Sequence, residues 1–267
     1  MDTLAIGLSG LTASRLRGLT SANNLANLNT PGYKEQRANS GSLSNGAGAT
    51  INSISKITTN GSLIPTGDPL DLAIIGDGHF QVTGVEGANA FTRDGSFSLN
   101  ADGQMVNSQG LTLDSGITIP QDAQNVTIAS DGAVSAQVNG ETVELGNIQI
   151  ASFSNPQGLS NDGGNLQSQT GSSGIPQMGL PGTEGRGYVQ SGFIEGSNVD
   201  IARQAIALRE EENAFKANAA VIRTADDMQY EIINAIPDVL RANGEYLSLD
   251  IIELETLIFK HLAKLDY

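Results

Sequence analysis

The sequence predicts a mainly β chain with a helix at each end: an all-β central domain flanked by N- and C-terminal helices. Three observations predict it. Apolar residues recur at helical spacing over residues 3–28, and they do so again over 198–235. Between these stretches lie short apolar runs punctuated by Asp-Gly and Asn-Gly pairs.

The N-terminal segment, 1–34, holds the first helix. Leu4, Leu8, Leu11, Gly18, Ala22 and Leu25 follow spacings of three, four or seven, which place them on one stripe that Arg15 interrupts. Asn29, Thr30, Pro31 and Gly32 stop the helix, because Pro31 disfavours helical geometry at Thr30 and Gly32 supports a turn. Residues 35–68 are polar and small and read as an extended connector with short strands, such as the alternating INSISKI at 51–57.

Residues 69–195 read as a β-rich domain. Apolar runs at 70–75, 79–82, 97–99, 117–119, 126–129 and 148–153 lie between Asp77-Gly78, Asp94-Gly95, Asp102-Gly103, Asp131-Gly132 and Asn139-Gly140, pairs that favour positive-φ hairpin turns. Residues 154–187, rich in Gly, Ser, Asn and Pro, read as loops.

Helical periodicity returns over 196–236. Ser197 or Asn198 is expected to cap this helix, with Asp200 completing a capping box. Leu208, Phe215, Ala219, Ile222 and Ile233 fall on one face, and Pro237 is expected to end it. An atypical tail, 237–267, follows; Ile251, Leu254, Ile258, Leu262 and Leu265 suggest a short amphipathic helix after Ser248.

Composition narrows the function. The chain has 267 residues, 39% of them hydrophobic, enough for a real core. A net charge of -15 disfavours nucleic acid and anionic lipid as partners. The absence of cysteine removes disulfides, thiolate nucleophiles and Cys-ligated metals. No basic, apolar leader and no apolar run of the ~18 residues that span a bilayer is visible, so cytoplasmic residence or export without a cleaved signal is expected, with no membrane insertion.

Little here suggests catalysis. His79 opens a strand in GDGHFQV and reads as a surface or half-buried residue; His261 lies in the tail without an obvious carboxylate partner. The turn at 100–103 lacks the later ligands of a calcium loop. Asp68 and Asp71 fit turn initiation and an exposed strand position better than an acid–base pair. No catalytic residue, cofactor site or metal site is predicted, and the chain is read as a non-enzyme.

The first helix contains few large apolar residues for its length, so one partner helix gives it limited burial and neighbouring subunits could add the rest. An ordinary helical hairpin within one chain fits the same periodicity. SANNLANLNTPGY at 21–33, after SGL at 9–11, resembles the N-terminal signature of the flagellar rod and hook axial proteins. GSLIPTGDPLDLAIIGDGHFQV (61–82), FTRDGSFSLNADGQMVNSQG (91–110), GFIEGSNVDIARQAIAL (192–208) and ANAAVIRTADDM (217–228) resemble the rod members.

The resemblance implies a structural subunit of the flagellar basal-body rod, a homopolymer in the tube that transmits torque from motor to hook. It implies terminal helices that pair as a coiled coil inside the tube, a β domain outside it, and terminal segments that fold on assembly. Export through the flagellar type III apparatus without a cleaved signal follows from it too, as do contacts with other rod and hook subunits and with surrounding ring proteins in the periplasm-spanning basal body. The wording at 61–75 favours a distal rod subunit; a proximal rod or hook-type subunit is the alternative, and a secreted β-rich adhesin or tail fibre, or a polysaccharide-active enzyme, are the competing classes. The expected assembly interface comprises Leu4, Leu8, Leu11, Asn23, Asn24, Leu25, Asn27, Asn29, Leu208, Phe215, Ala219 and Ile222. Within it, Leu8, Leu11 and Leu25 are expected to pack in a seam with Leu208, Phe215 and Ile222, and the four asparagines either to bridge subunits or only to end the helix.

Overall fold

The computed structural model describes residues 3–43, 48–83 and 87–242, with side chains described to residue 234. The helix expected in the tail, with Ile251, Leu254, Ile258, Leu262, Leu265 and His261, lies outside the described residues.

Helix α1 runs over Thr3–Ala26 and ends in the turns before Gly32, whose φ of 68° needs glycine. The chain then forms an antiparallel hairpin, β1 (Gln36–Ser42) with β2 (Ala49–Lys56), which lies on α1. One tie is the hydrogen bond that Ala49 N donates to Ser9 Oγ.

The β body follows in chain order: β3 (Leu63–Pro65), β4 (Leu72–Ile75), β5 (His79–Thr83), β6 (Asn89–Thr92), β7 (Ser98–Leu99), β8 (Met105–Val106), β9 (Thr112–Leu113), β10 (Gln124–Ile128), β11 (Ala133–Val138), β12 (Glu141–Asn147), β13 (Ile150–Ser152), β14 (Ser160–Gly163), β15 (Leu166–Ser168), β16 (Gln177–Gly179), β17 (Tyr188–Ser191) and β18 (Phe193–Glu195). Its largest sheet has the path β14-β15-β6-β5-β9-β8-β7, with β13 bridging β5 and β16. A meander, β10-β11-β12, packs beside it. Strand β17 pairs with β4 and β18 with β3, so the chain enters and leaves the body side by side. The core between the sheets includes Leu72, Ile74, Phe80, Val82, Met105, Val134, Ile148 and Ile150. Phe80 and Phe97 meet edge to face there at 5.4 Å.

Three of the five acidic-Gly or Asn-Gly pairs turn hairpins. Asn139 (φ 53°) and Gly140 (φ 88°) form the two-residue loop between β11 and β12. Asp102-Gly103 and Asp131-Gly132 lie in the longer turns joining β7 to β8 and β10 to β11. Asp77-Gly78 and Asp94-Gly95 do not, because the strands on either side of each pair with other strands. Residues 117–119 form no strand; Thr118 makes only an isolated bridge to Gln104.

Helix α2 spans Ile201–Ala242 and therefore runs through Pro237. A proline removes one i→i−4 bond and clashes with the preceding turn, but it does not by itself dictate where a long helix ends. The N-cap is Asp200, whose Oδ1 accepts from Arg203 N at 3.1 Å. Neither Ser197 nor Asn198 does this: Ser197 Oγ accepts from Val199 N, and Asn198 is engaged by the connector.

Candidate assembly interface

Helices α1 and α2 pack antiparallel. Gly7 lies opposite Ile222, Gly10 opposite Asn218, Gly18 opposite Glu211 and Asn24 opposite Gln204. The α1 face in this seam is small and polar, with Gly7, Ser14, Ser21 and Asn24 buried. A Cβ added to Gly7 would sit 2.8 Å from Ile222 Cγ1, so glycine sets the separation of the helices here. Arg17 Nε pairs with Glu211 at 2.7 Å, and its Nη1 donates to Ser40 Oγ, joining α1 to α2 and to β1.

Within one chain, Gly7, Ser14, Ser21 and Asn24 fill the α1 side of the contact with α2, where the expected seam placed leucines. Leu8 is 59% exposed, Phe215 is 41% exposed, and Leu25 and Ala22 are also exposed. Leu4, Leu11, Leu208, Ala219 and Ile222 are half-buried. Small residues allow closer backbone approach than leucine, so they take the single partner helix. That leaves much of the leucine side, with Ile6, Leu16 and Leu19 (54% exposed), facing outward. On α2, Ile206, Val221, Met228, Ile232 and Ile233 are exposed as well. No described helix is long and apolar enough to cross a membrane.

Of the four asparagines, Asn24 is 1% exposed and its amide is engaged within the chain. Its Nδ2 donates to Gln36 O and Gln204 Oε1, and its Oδ1 accepts from Gln36 N and the Tyr33 hydroxyl. Asn27 donates to Asn23 O and Oδ1 one turn back and accepts from the Thr30 hydroxyl. Asn23 reaches the Tyr33 hydroxyl at 3.5 Å, and Asn29 is exposed.

Sequence reasoning passed over the residues that fasten this helix pair to the β body. Glu195, at the end of β18, has a fully buried carboxylate. Its Oε1 accepts from Lys34 Nζ at 2.6 Å and from Gly61 N at 2.9 Å, while Oε2 lies 3.6 Å from Arg93 Nε. Burial holds the Lys34 and Arg93 pKa values below their usual ranges, and Glu195 pulls both back up. Nearby, Gln204 Nε2 donates to Glu35 Oε1, Asn198 Oδ1 accepts from Glu35 N, and Asn198 Nδ2 donates to the carbonyls of Ile57 and Thr59. One network thus ties both helix ends, the connector and the body. Its only sequence signals were isolated charges beside turn glycines, at Lys34, Arg93 and Glu195.

His79 is buried rather than at the surface, edge to face with Phe153 at 5.7 Å. Burial first, then Arg93, Lys34 and Lys56, pushes its pKa down to about 3. Asp68 Oδ1 accepts from Leu70 N as a turn former, and Asn100 Oδ1 accepts from Asp102 N and Gln104 N in its hairpin. Among the described residues no group of three or more His, Asp or Glu side chains is placed to hold a metal ion.

Residues 4–34 match the family described as flagella basal body rod protein, 73–136 the flagellar hook protein FlgE/F/G D1 domain, and 190–235 the flagellar basal body rod FlgEFG protein C-terminal region. The flagellar basal-body rod protein FlgG of Agrobacterium fabrum is 38% identical over 253 residues, covering 85% of this chain and 97% of that protein. The chain belongs to the flagellar basal-body rod protein family. The FlgG of Bacillus subtilis is 35% identical over 261 residues, covering 88% of this rod protein and 98% of the relative. The flagellar hook protein FlgE of Escherichia coli is 30% identical over 186 residues, which make up 68% of this chain but 45% of the hook protein. As a rod protein, the chain is a structural subunit of the flagellar basal body.

Proposed function

We propose that this rod protein polymerises into the distal part of the axial tube that carries torque from motor to hook. In this reading α1 and α2 pair as an antiparallel coiled coil in the inner wall, and the β body lies outside. The observation that carries it is the outward apolar face of the helix pair. Leu8, Leu19 and Leu25 of α1 and Phe215 of α2 are exposed in one copy, and burying each against a neighbour would contribute about 1.5–3 kcal/mol. Leu4, Leu11, Leu208, Ala219 and Ile222, half-buried, would border that contact. Asn23, Asn27 and Asn29 lie toward the end of α1 where their amides can add polar contacts, whereas Asn24 acts inside the subunit.

The partners are further copies of the chain, other rod and hook subunits, the export apparatus that delivers it without a cleaved signal, and the rings surrounding a periplasm-spanning rod. Near-complete coverage of the FlgG relatives, against 45% of the hook relative, favours a distal rod position over a hook position. Electron microscopy of the concentrated full chain tests the reading. Tubes are expected, and Leu19→Glu should abolish them without lowering the melting temperature of the dilute protein. Wild-type protein that stays as discrete particles at every concentration sinks the proposal.

A further inference from the structure

A cavity of about 370 Å³ is lined by Lys34 and Lys56, from the segment between α1 and the body, and by His79, Arg93 and Gln167 of the body. Its charges are out of balance. Lys34 and Arg93 share the buried Glu195 carboxylate, at 2.6 Å and 3.6 Å. Lys56 has no such partner: its Nζ is buried yet makes no hydrogen bond among the described residues. Burial lowers the Lys56 pKa, and Asp162 opposes this only through space; Asp162 is itself exposed and accepts from the Ser168 hydroxyl. His79 Nδ1 is likewise buried without a hydrogen bond, on a residue 9% exposed. Two carboxylates also line the cavity. Asp77 is exposed, and Glu184 is exposed and bound to Arg186 at 2.8 Å. A buried ammonium is costly unless an anion faces it, and no carboxylate of the described residues forms an ion pair with Lys56.

We propose that this cavity binds a small free oxyanion of the phosphate type, held by Lys56 Nζ together with the neutral donors of His79 and Gln167. Lys56 supplies the charge and its N–H donors. The His79 pKa is held near 3 by burial, then by Arg93, Lys34 and Lys56, so the imidazole is neutral and can carry its one proton on Nδ1. That all three cations act on this ring places them around one point. Gln167, 7% exposed, brings an amide donor. The donors are buried, which suits an ion that enters alone better than a side chain that must bring its own backbone with it. The bound ion would join Lys56, at the end of β2, to His79 of β5 and Gln167 of β15. It would thereby pin the hairpin that lies on α1 to the body, beside the Lys34–Glu195 pair. Oxyanion concentration then tunes how firmly the helix pair is fixed to the body.

The test titrates inorganic phosphate into the dilute full chain, against chloride at constant ionic strength. His79 is one of only two histidines, so its imidazole NMR signals are assigned by comparison with His79→Gln. These signals should move saturably with phosphate. In Lys56→Met, which keeps most of the stem and loses the charge, the apparent Kd should rise at least about tenfold, the loss expected for a charge-assisted hydrogen bond. Lys56→Arg, which keeps the charge, should bind more tightly than Lys56→Met. Phosphate should also raise the melting temperature of the wild type more than that of Lys56→Met, because general salt effects act on both proteins alike. His79 signals that do not move in the wild type overturn the proposal, and this arm needs no variant to fold. Equal movement in wild type and Lys56→Met overturns it as well. So does a shift that follows protein concentration in phosphate-free buffer, which would assign the cavity to an acidic side chain of a second copy. The readout is taken on dilute monomer and does not depend on whether the chain polymerises.

Discussion

Lys34 and Glu195 stand 161 positions apart and form a 2.6 Å ion pair with both side chains almost wholly buried. One follows the first helix and the other precedes the second, so this contact anchors both ends of the helix pair to the body. Glu195→Ala would leave Lys34 and Arg93 facing each other without their shared anion. A loss of about 3–5 kcal/mol is expected, measured by denaturant unfolding of the full chain. Adding Lys34→Met to that variant should recover part of the loss; a loss below about 1 kcal/mol in Glu195→Ala would show the pair to be dispensable.

Asn24 and Asn27 should separate sharply. Asn24→Ala strips Gln36 of partners for both its N–H and its carbonyl in a part-buried setting, at about 1 kcal/mol per group, the low end of the range for a buried unsatisfied group. Asn27→Ala removes bonds confined to its own turn of chain and gains helix propensity, so its effect should stay within about 0.5 kcal/mol. Thermal melts of the two variants decide it, and similar losses would contradict the assignment of Asn24 as the internal tie.

Gly95 is needed for space rather than for φ. A Cβ there would run into the carbonyl oxygen of Leu72, to whose N–H Gly95 O already bonds at 2.9 Å. Gly95→Ala must push apart two segments that share the core around Phe80, and a loss of about 1–3 kcal/mol is expected. Gly110→Ala is the comparison in a turn where the new methyl meets nothing within 4 Å, so its cost is confined to a φ of 78°.

Much of the fold was legible because it rests on local rules. Periodicity gave the two helices, and Asn139-Gly140 gave its hairpin, since both signals operate within a few residues. The misreadings share a cause: they required knowing what a segment packs against. Leucine spacing marks an apolar face but does not say which side of α1 meets α2, and the small residues of Gly7 and Gly10 won that side. Asp94-Gly95 looks like a hairpin turn until Leu72 is seen above it. Glu195, Lys34 and Arg93 were invisible as a site because three isolated charges become a network only when the chain closes on itself.

His79 should make the protein sensitive to mild acid. In the folded chain its pKa is lowered to about 3, chiefly by burial and further by Arg93, Lys34 and Lys56, against 6.5 as the ordinary value. Below pH 6.5 the unfolded chain therefore takes up a proton that the folded chain refuses, and stability falls as pH falls through the window between 6.5 and 3. At pH 5 the loss from this group is about 2 kcal/mol, using 1.36 kcal/mol per pH unit. His79→Gln removes the titration and should flatten the stability profile between pH 6.5 and 5. That interval lies above the ordinary range of carboxylates, so the difference between the two proteins reports His79 itself. Parallel profiles for wild type and His79→Gln over that interval would mean that the folded chain protonates His79 as readily as the unfolded one, and that the buried imidazole is not the source of acid sensitivity.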